Sequence, residues 1–180
     1  MLARGGEIWG GDETTVREFP PLRAAWALIG VQAVVPLTGR NPRRVLIGGL
    51  NLQTGEVVTV IRERSRGEDV VAWVEALGRV RPEVPKLLIW DNAPPHKTRA
   101  VREALAAANI EVAWLPFRSP ELNPVEDLWR HLKAHVAANR VYPTVALLAA
   151  AAVSWLDGLT GEDRLRKAAL LSAKFNWLPT

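Results

Sequence analysis

The sequence contains no cysteine among its 180 residues. A disulfide framework, a thiolate zinc site and a cysteine nucleophile are therefore excluded. Long apolar runs are also missing, because the longest apolar-rich stretch, residues 145–153, is too short to cross a bilayer. Residues 1–6 lack the apolar core of a signal peptide. From these absences we expect a cytoplasmic protein with no membrane partner.

A strong charge excess is missing as well. The chain has 23 basic and 19 acidic residues, so its formal net charge is only +4. This excess is compatible with a polyanionic partner and equally with an ordinary solvated surface. Several basic side chains nevertheless cluster along the sequence: Arg40, Arg43 and Arg44; and Arg62, Arg64 and Arg66. Lys97 and Arg118 flank the two segments that contain Asp91 and Glu126. Such clusters suit contacts to phosphate groups.

Apolar runs predict the strands. Residues 45–50 and 57–61 are rich in β-branched and aliphatic side chains, and turn residues separate them, which predicts a hairpin. The runs at 87–90 and 110–115 are typical of buried strands. A further short strand pair is expected at 26–29 and 31–35. Only Ile8 and Trp9 precede Gly10 and Gly11, so we expect the strand edge at Asp12 to be loose or mispositioned.

Helical spacing of apolar residues predicts five helices, at residues 68–80, 101–108, 124–139, 145–156 and 162–175. The predicted strands come first and then alternate with helices. This order is typical of a mixed α/β domain. With 48% hydrophobic residues and no break in composition, the chain is expected to form one domain.

Two carboxylates occupy positions that suit a functional site. Asp91 directly follows a predicted buried strand, and α/β folds bind ligands at the carboxyl ends of their strands. A simple polar turn is the alternative for Asp91. Glu126 comes three residues after Asn123, a strong helix N-cap, so a capping box is its alternative role. Together with Asp12, these side chains could supply the oxygen ligands of a divalent metal.

Residues near these carboxylates have weaker signals. Lys133 is expected on the helix face of Glu126, where it could contact phosphate. His96 could orient a phosphate or water near Asp91, or be structural. Glu13 is expected on the opposite strand face from Asp12, and Asp127 in solvent.

Two further patterns are better explained without a zinc site or base stacking. His131 and His135 have the spacing of zinc ligands, but the glutamate of a metalloprotease motif is missing between them. Most of the eight tryptophans are expected in the core rather than stacked on bases. Those in apolar elements are Trp26, Trp73, Trp90 and Trp114.

An ordered set of motifs resembles the DDE transposases of the mariner-like superfamily, in the bacterial insertion-sequence branch. The set consists of Asp12-Glu13-Thr14, Trp26 with Gly30, residues 89–97 (IWDNAPPHK), Leu115-Pro116, and residues 119–126 (SPELNPVE) with Trp129. Between Asp91 and Glu126 lie 34 residues, which is similar to the family's spacing between its second and third acidic residues.

The resemblance implies an RNase H-like fold, with a mixed five-stranded sheet flanked by helices and a helical C-terminal segment. Residues 1–140 would form the DDE catalytic domain, and residues 141–180 a helical extension packing on the same domain. Asp12 would lie on the first strand, Asp91 just after the fourth, and Glu126 on a late helix.

The resemblance also implies an activity. Asp12, Asp91 and Glu126 would be the catalytic residues and would hold two Mg²⁺ ions, for which Mn²⁺ could substitute. They would serve cleavage at transposon ends and transfer of the freed strand into target DNA. The candidate DNA contacts are His96, Lys97, Arg118, Arg130 and Lys133.

Expected partners are transposon-end and target DNA and a second copy of the chain. Family members usually carry N-terminal helix-turn-helix modules, whereas this chain starts almost at the catalytic core, so a separate N-terminal DNA-binding chain is also expected. Two alternatives stay open: an inactive or truncated transposase remnant that binds DNA or a partner chain, and a different RNase H-like nuclease.

Overall fold

The fold is built on one five-stranded sheet. A computed structural model describes residues 5–24, 26–31, 34–35, 37, 39–117 and 119–175. The strands are β1 (Glu7–Arg17), β2 (Arg43–Asn51), β3 (Val57–Arg62), β4 (Lys86–Trp90) and β5 (Ile110–Trp114). Across the sheet they follow the order β3-β2-β1-β4-β5. The first three strands are antiparallel, while β4 runs parallel to β1 and to β5. The predicted mixed sheet and its hairpin are confirmed.

Helices cover both faces of the sheet. They are α1 (Gly67–Gly78), α2 (Arg99–Ala107), α3 (Pro124–Leu132), α4 (Val145–Asp157) and α5 (Gly161–Lys167). Side chains of Thr98, Asn123, Thr144 and Thr160 cap the N-termini of the last four. Each cap satisfies a backbone N–H that has no partner inside its helix.

Two predicted helices are shorter than expected. The third segment, 124–139, is α-helical only to Leu132 and continues as a π-helical turn, Lys133–Ala137. The last segment, 162–175, ends its helix at Lys167, and a short 3₁₀ turn follows at Ala173–Phe175. Ala169 has φ 59°, a left-handed conformation that interrupts the helical path.

Alternating side chains of the strands divide the core into two layers. Leu46 and Leu50 of β2 pack with α3 and α4, whereas Ile47 packs with α1 and α2. From α4, the first layer includes Leu148, Ala149, Ala152 and Leu156. Because α4 shares its apolar cluster with α3, residues 145–157 pack on the sheet that carries the site. A domain boundary at residue 140 stays a prediction.

The expected strand pair at 26–29 and 31–35 is wrong where the structure describes it. Residues 26–31 and 34–35 have no strand, and the side chains of Trp26, Leu28 and Ile29 are exposed. Residues 32 and 33 lie outside the described part of the chain. Pro20 and Pro21 lack the N–H groups that a strand ladder requires, and the sheet takes its first strand from residues 7–17 instead.

The expectation of a loose or mispositioned edge at Asp12 is also wrong, because β1 has 11 residues and pairs Asp12 with Gly48 of β2. A Cβ on Gly10 would lie 3.0 Å from Val125, and one on Gly11 would lie 3.0 Å from Trp73. The two glycines therefore allow close packing on both sheet faces, which stabilises the strand together with its own buried side chains, Ile8, Trp9 and Val16.

No single helix among the described residues is long and apolar enough to cross a membrane. The pair α4 and α5 reaches that length and composition only when taken together, and the two helices meet at an angle of 110°.

Candidate active site

Three acidic side chains from distant parts of the chain meet at one cavity. Asp12 lies in β1, Asp91 follows the last residue of β4, and Glu126 lies in the first turn of α3. All three line a cavity of about 230 Å³, together with Asn92, Ala93, Pro94, Leu115, Pro116, Phe117, Ser119, Pro120 and Asn123. The sequence prediction placed these carboxylates together, and the structure brings them to the same cavity. Their catalytic role stays a prediction.

The sheet register explains why Asp12 is accessible from this cavity. The parallel pairing of β1 with β4 ends where Gly10 pairs with Ile89. Beyond that pair β1 continues beside β2, with Asp12 opposite Gly48. The chain of β4 turns away at Asp91, so a crevice opens where the two strands diverge.

Asp12 has an unfavourable environment for a carboxylate. Its side chain is buried, with 8% exposure, and its Oδ2 atom has no hydrogen-bond partner among the described residues. Burial raises the pKa of Asp12 well above its usual value, and the charges of Glu126, Glu13 and Asp91 raise it further. A cation at this point would relieve both the desolvation and the repulsion.

The donor set fits a hard divalent metal, since carboxylate oxygens are the ligands that Mg²⁺ and Mn²⁺ prefer. As the side chains stand, no group of three Asp, Glu or His residues within the described ranges is close enough to enclose an ion. Glu126 is exposed at the mouth of the cavity, so its side chain can move toward Asp12 and Asp91.

Asn123 ties the helix of Glu126 to the strand of Asp12. Its Oδ1 accepts a hydrogen bond from the backbone N–H of Val125 at 3.2 Å, and its Nδ2 donates one to the carbonyl of Gly11 at 3.0 Å. The predicted N-cap is confirmed, whereas Glu126 forms no capping box with it. The Glu126 carboxylate is consequently not held at the cap.

His96 links Asp91 to a second acidic residue. Its Nδ1 lies 2.7 Å from Oδ1 of Asp91, and its Nε2 lies 2.7 Å from Oε1 of Glu13. The imidazole is 1% exposed and stacks on Trp90, with ring centroids 3.8 Å apart. Burial lowers the pKa of His96, but the hydrogen bonds to Asp91 and Glu13 outweigh it and raise that pKa to about 9. The His96 contact in turn lowers the pKa of Asp91.

The candidate DNA contacts have different environments. Lys133 and Arg130 line an open cleft of about 650 Å³ with Glu126, Arg23 and Lys174. Lys97 places its Nζ atom 5.3 Å from the ring centroid of Trp114. Arg118 lies outside the described residues. His96 is buried, so it can act on Asp91 but cannot reach DNA directly, which corrects its assignment as a DNA contact.

Asp127 is not in solvent, contrary to expectation. Its side chain is 8% exposed and forms ion pairs with Arg130 and Lys174. Lys174 reaches it from the C-terminal segment, beyond the reach of any local sequence pattern. The contact fastens that segment to α3.

Sequence reasoning also missed Glu13 as part of the site, although strand alternation correctly placed it on the opposite face from Asp12. A histidine in the turn after β4 was the available signal. Among the tryptophans, Trp73 and Trp90 are buried as predicted, whereas Trp26 and Trp114 are exposed.

Comparisons with known proteins agree with this geometry. A family model described as a DDE superfamily endonuclease matches residues 7–148. The Tc3 transposase of Caenorhabditis elegans is 44% identical over 59 residues, which are 32% of this chain and 18% of that protein. A 39 kDa protein of insertion element IS630 from Shigella sonnei is 29% identical over 133 residues, covering 71% of this chain and 38% of that protein.

Solved structures with the same fold include Mos1 transposases. The Mos1 paired-end complex with the left transposon end superimposes with a TM-score of 0.70 at 22% identity, over 91% of this chain and 52% of that one. The Mos1 mariner catalytic domain superimposes with a TM-score of 0.61 at 21% identity. The match covers 93% of this chain and 78% of that domain. These likenesses confirm the RNase H-like fold. The chain thus spans about half of the Mos1 chain in the paired-end complex and less than half of the curated relatives.

Proposed function

Because the chain belongs to the DDE superfamily of endonucleases, we propose that it is a transposase catalytic domain. It cuts DNA phosphodiester bonds at transposon ends and transfers the freed strand into target DNA. The observation that carries this proposal is Asp12, a buried and repelled carboxylate that shares a cavity with Asp91 and Glu126. Such an arrangement is costly unless a cation binds there.

Asp12, Asp91 and Glu126 would hold two Mg²⁺ ions in this site, with Mn²⁺ able to replace them. Bound divalent ions promote attack by a water or 3′-hydroxyl and stabilise the leaving oxygen. The chain contributes the placement of the ligands. Asp12 is fixed by the sheet, Asp91 by its contact with His96, and Glu126 approaches from the open side on α3. Solved Mos1 paired-end complexes with Mg and with Mn support this choice of ion.

The DNA would lie along the basic surface beside the cavity. Glu126 borders both the cavity and the adjoining cleft, where Arg23 and Lys133 stand. A second groove, between the strands and α1, is lined by Arg44, Arg62, Arg64 and Arg66 with three acidic residues. Cationic side chains beside an acidic site suit a phosphate backbone that crosses it.

A second copy of the chain is the proposed protein partner. Between β1 and β2 an exposed segment carries large apolar side chains: Leu22, Trp26, Leu28, Ile29, Val31, Val34 and Leu37. Exposed apolar groups at this density are typical of association surfaces. Recognition of the transposon ends by a separate N-terminal DNA-binding chain stays a prediction.

The test is Mg²⁺-dependent nicking of supercoiled plasmid DNA by the wild-type chain beside Asp91→Asn. We expect nicking by the wild type only, with circular dichroism spectra showing that both proteins are folded. A folded wild type that nicks no DNA with either Mg²⁺ or Mn²⁺ would favour the inactive remnant. Cleavage restricted to RNA–DNA hybrids would favour a different RNase H-like nuclease.

A further inference from the structure

The two hydrogen bonds of His96 connect a candidate metal ligand on one side of the sheet to a carboxylate on the other. We propose that Glu13 is a positioning residue of the active site, which holds His96 so that His96 fixes the orientation of Asp91. The inference rests on the proposed metal-dependent function, because Asp91 needs a fixed orientation only if it binds an ion.

The contacts at Asp91 define which of its oxygens is used. Oδ1 lies 2.7 Å from Nδ1 of His96 and accepts a hydrogen bond from the backbone N–H of Ala93 at 3.1 Å. The same Nδ1 also lies 3.3 Å from the backbone carbonyl oxygen of Asp91. Two donors on one oxygen fix the carboxylate plane and leave Oδ2 to bind an ion from the cavity. The side chain is about half exposed, so without these donors it would rotate freely.

His96 needs Glu13 to hold this geometry. Both ring nitrogens face carboxylate oxygens at 2.7 Å, so both donate, and the imidazole carries a positive charge. A buried charge requires a partner of opposite sign. Glu13 supplies it, and the hydroxyl of Ser65 donates a hydrogen bond to the same Oε1 at 3.0 Å. The stack on Trp90 fixes the ring plane.

Glu13 also balances the charge near the site. If His96 alone paired with Asp91, the cation would neutralise the ligand and weaken its attraction for a metal. With Glu13 included, the group of three side chains keeps one net negative charge. The imidazolium of His96 can therefore orient Asp91 while the site still attracts a metal ion.

The experiment measures Mn²⁺ affinity by calorimetry on folded protein, with thermal unfolding recorded for each variant. We expect Glu13→Ala to weaken binding about 10-fold, which is typical of losing a partner that orients a ligand. Glu13→Gln keeps an acceptor for Nε2 and should lose less affinity. Equal losses of Mn²⁺ affinity in the two variants would mean that Glu13 acts only through its charge, and would overturn its role in positioning His96. Glu111→Ala, an exposed glutamate on β5, is the matched control and should bind as wild type.

A double-mutant cycle separates action through His96 from a direct effect. His96→Ala should also weaken binding about 10-fold, and adding Glu13→Ala should weaken it no further, because Glu13 acts through His96. Additive losses, or Glu13→Ala binding as wild type, would overturn the inference while leaving the metal site intact. A wild type that binds no Mn²⁺, or an Asp91→Asn variant that binds as well as wild type, would overturn the proposed site and this inference with it.

Discussion

Asp12 illustrates how a single side chain can oppose folding and serve function. Within the part of the chain that the structure describes, its buried carboxylate has one oxygen without a hydrogen-bond partner and three acidic neighbours. The free energy of unfolding of the metal-free chain should therefore rise when the charge is removed. Sites of this kind commonly exchange stability for activity.

Asp12→Asn should raise the melting temperature of the metal-free chain at pH 7. A gain of about 1 kcal/mol corresponds to roughly 2–4 °C for a chain of this size. The same variant should lose Mg²⁺-dependent nicking. Differential scanning calorimetry with and without chelator checks the first statement, and Asp157→Asn, an exposed residue of α4, serves as its control. A lower melting temperature for Asp12→Asn would contradict the account of its environment.

His96 makes stability depend on pH in a definite direction. Its pKa is about 9 in the folded chain, against 6.5 without such contacts. Between these values the folded chain binds more protons than the unfolded one, so the contribution of His96 is complete below pH 6.5 and is lost as the pH rises to about 9.

The stability difference between wild type and His96→Gln should therefore shrink across this range. The slope is at most about 1.4 kcal/mol per pH unit. Urea unfolding at pH 6, 7, 8 and 9 measures it, and the comparison cancels the contribution of Asp12, whose raised pKa acts in the same direction. If the free energies of unfolding of the two proteins changed with pH in parallel, His96 would not be held by its two carboxylate partners.

At the scale of single residues, the sequence predicted the acidic triad but not its supports. Asp91 and Glu126 follow local signals, a strand end and a helix start. Glu13 joins the site only because His96 crosses from the turn after β4 to β1, a contact over 83 positions. Asp127 is likewise paired with Lys174, over 47 positions. No local pattern carries such information, because it arises from tertiary packing.

At the scale of elements, the approach of α3 to β2 sets the position of Glu126. A Cβ on Gly48 would lie 2.9 Å from the ring of Trp129, which is one helical turn beyond Glu126. Gly48 also pairs with Asp12 across the strands. The absence of a side chain at Gly48 therefore lets α3 lie close to the strand pair that carries the first carboxylate.

Gly48→Ala should destabilise the chain by about 1–3 kcal/mol, as overpacking typically does. It should also weaken Mn²⁺ binding, because moving Trp129 moves Glu126. Gly39→Ala is the matched control, since a Cβ there meets nothing within 4 Å. Urea unfolding and calorimetry measure the two effects. Unchanged metal affinity in a destabilised Gly48→Ala would show that α3 adjusts without moving Glu126.

The elements themselves were largely predictable. Strands β2 to β5 and helices α1, α2 and α4 follow uninterrupted periodic patterns, and the structure places them within a few residues of their predicted ends. β1 does not show such a pattern, because Gly10, Gly11 and three polar residues occupy its centre. Its stability comes from neighbours on both sides, and only the family resemblance placed Asp12 on a strand.

At the scale of the whole molecule, the distribution of charge matters more than its sum. A net charge of +4 is modest, yet Arg23 and Lys133 stand in the cleft that Glu126 shares with the cavity. The loop of Arg23 is held in place by two hydrogen bonds between its backbone and the Asn139 side chain. This placement predicts a localised contribution to DNA binding.

Arg23→Ala combined with Lys133→Ala should weaken binding to duplex DNA about equally for unrelated sequences. The slope of log affinity against log salt should decrease in magnitude by roughly 2, about one for each lost phosphate contact. Fluorescence anisotropy at several salt concentrations measures it. Arg99→Ala with Arg102→Ala, on the exposed face of α2, removes the same charge elsewhere and should leave the slope nearly unchanged. If both double variants decreased the salt slope equally, DNA binding would depend on the overall charge of the chain and not on the cleft.

The neighbouring positions of Asp12 and Glu13 make the length of β1 itself a requirement. Adjacent strand residues point to opposite faces, so a shift by one residue would exchange the two side chains. An in-frame deletion or insertion of one codon between Trp9 and Asp12 would thus present the wrong carboxylate to the cavity while leaving composition almost unchanged. Substitutions along this strand are tolerated where the packing allows, whereas a change in residue count changes which side chain faces the cavity unless a β-bulge accommodates it.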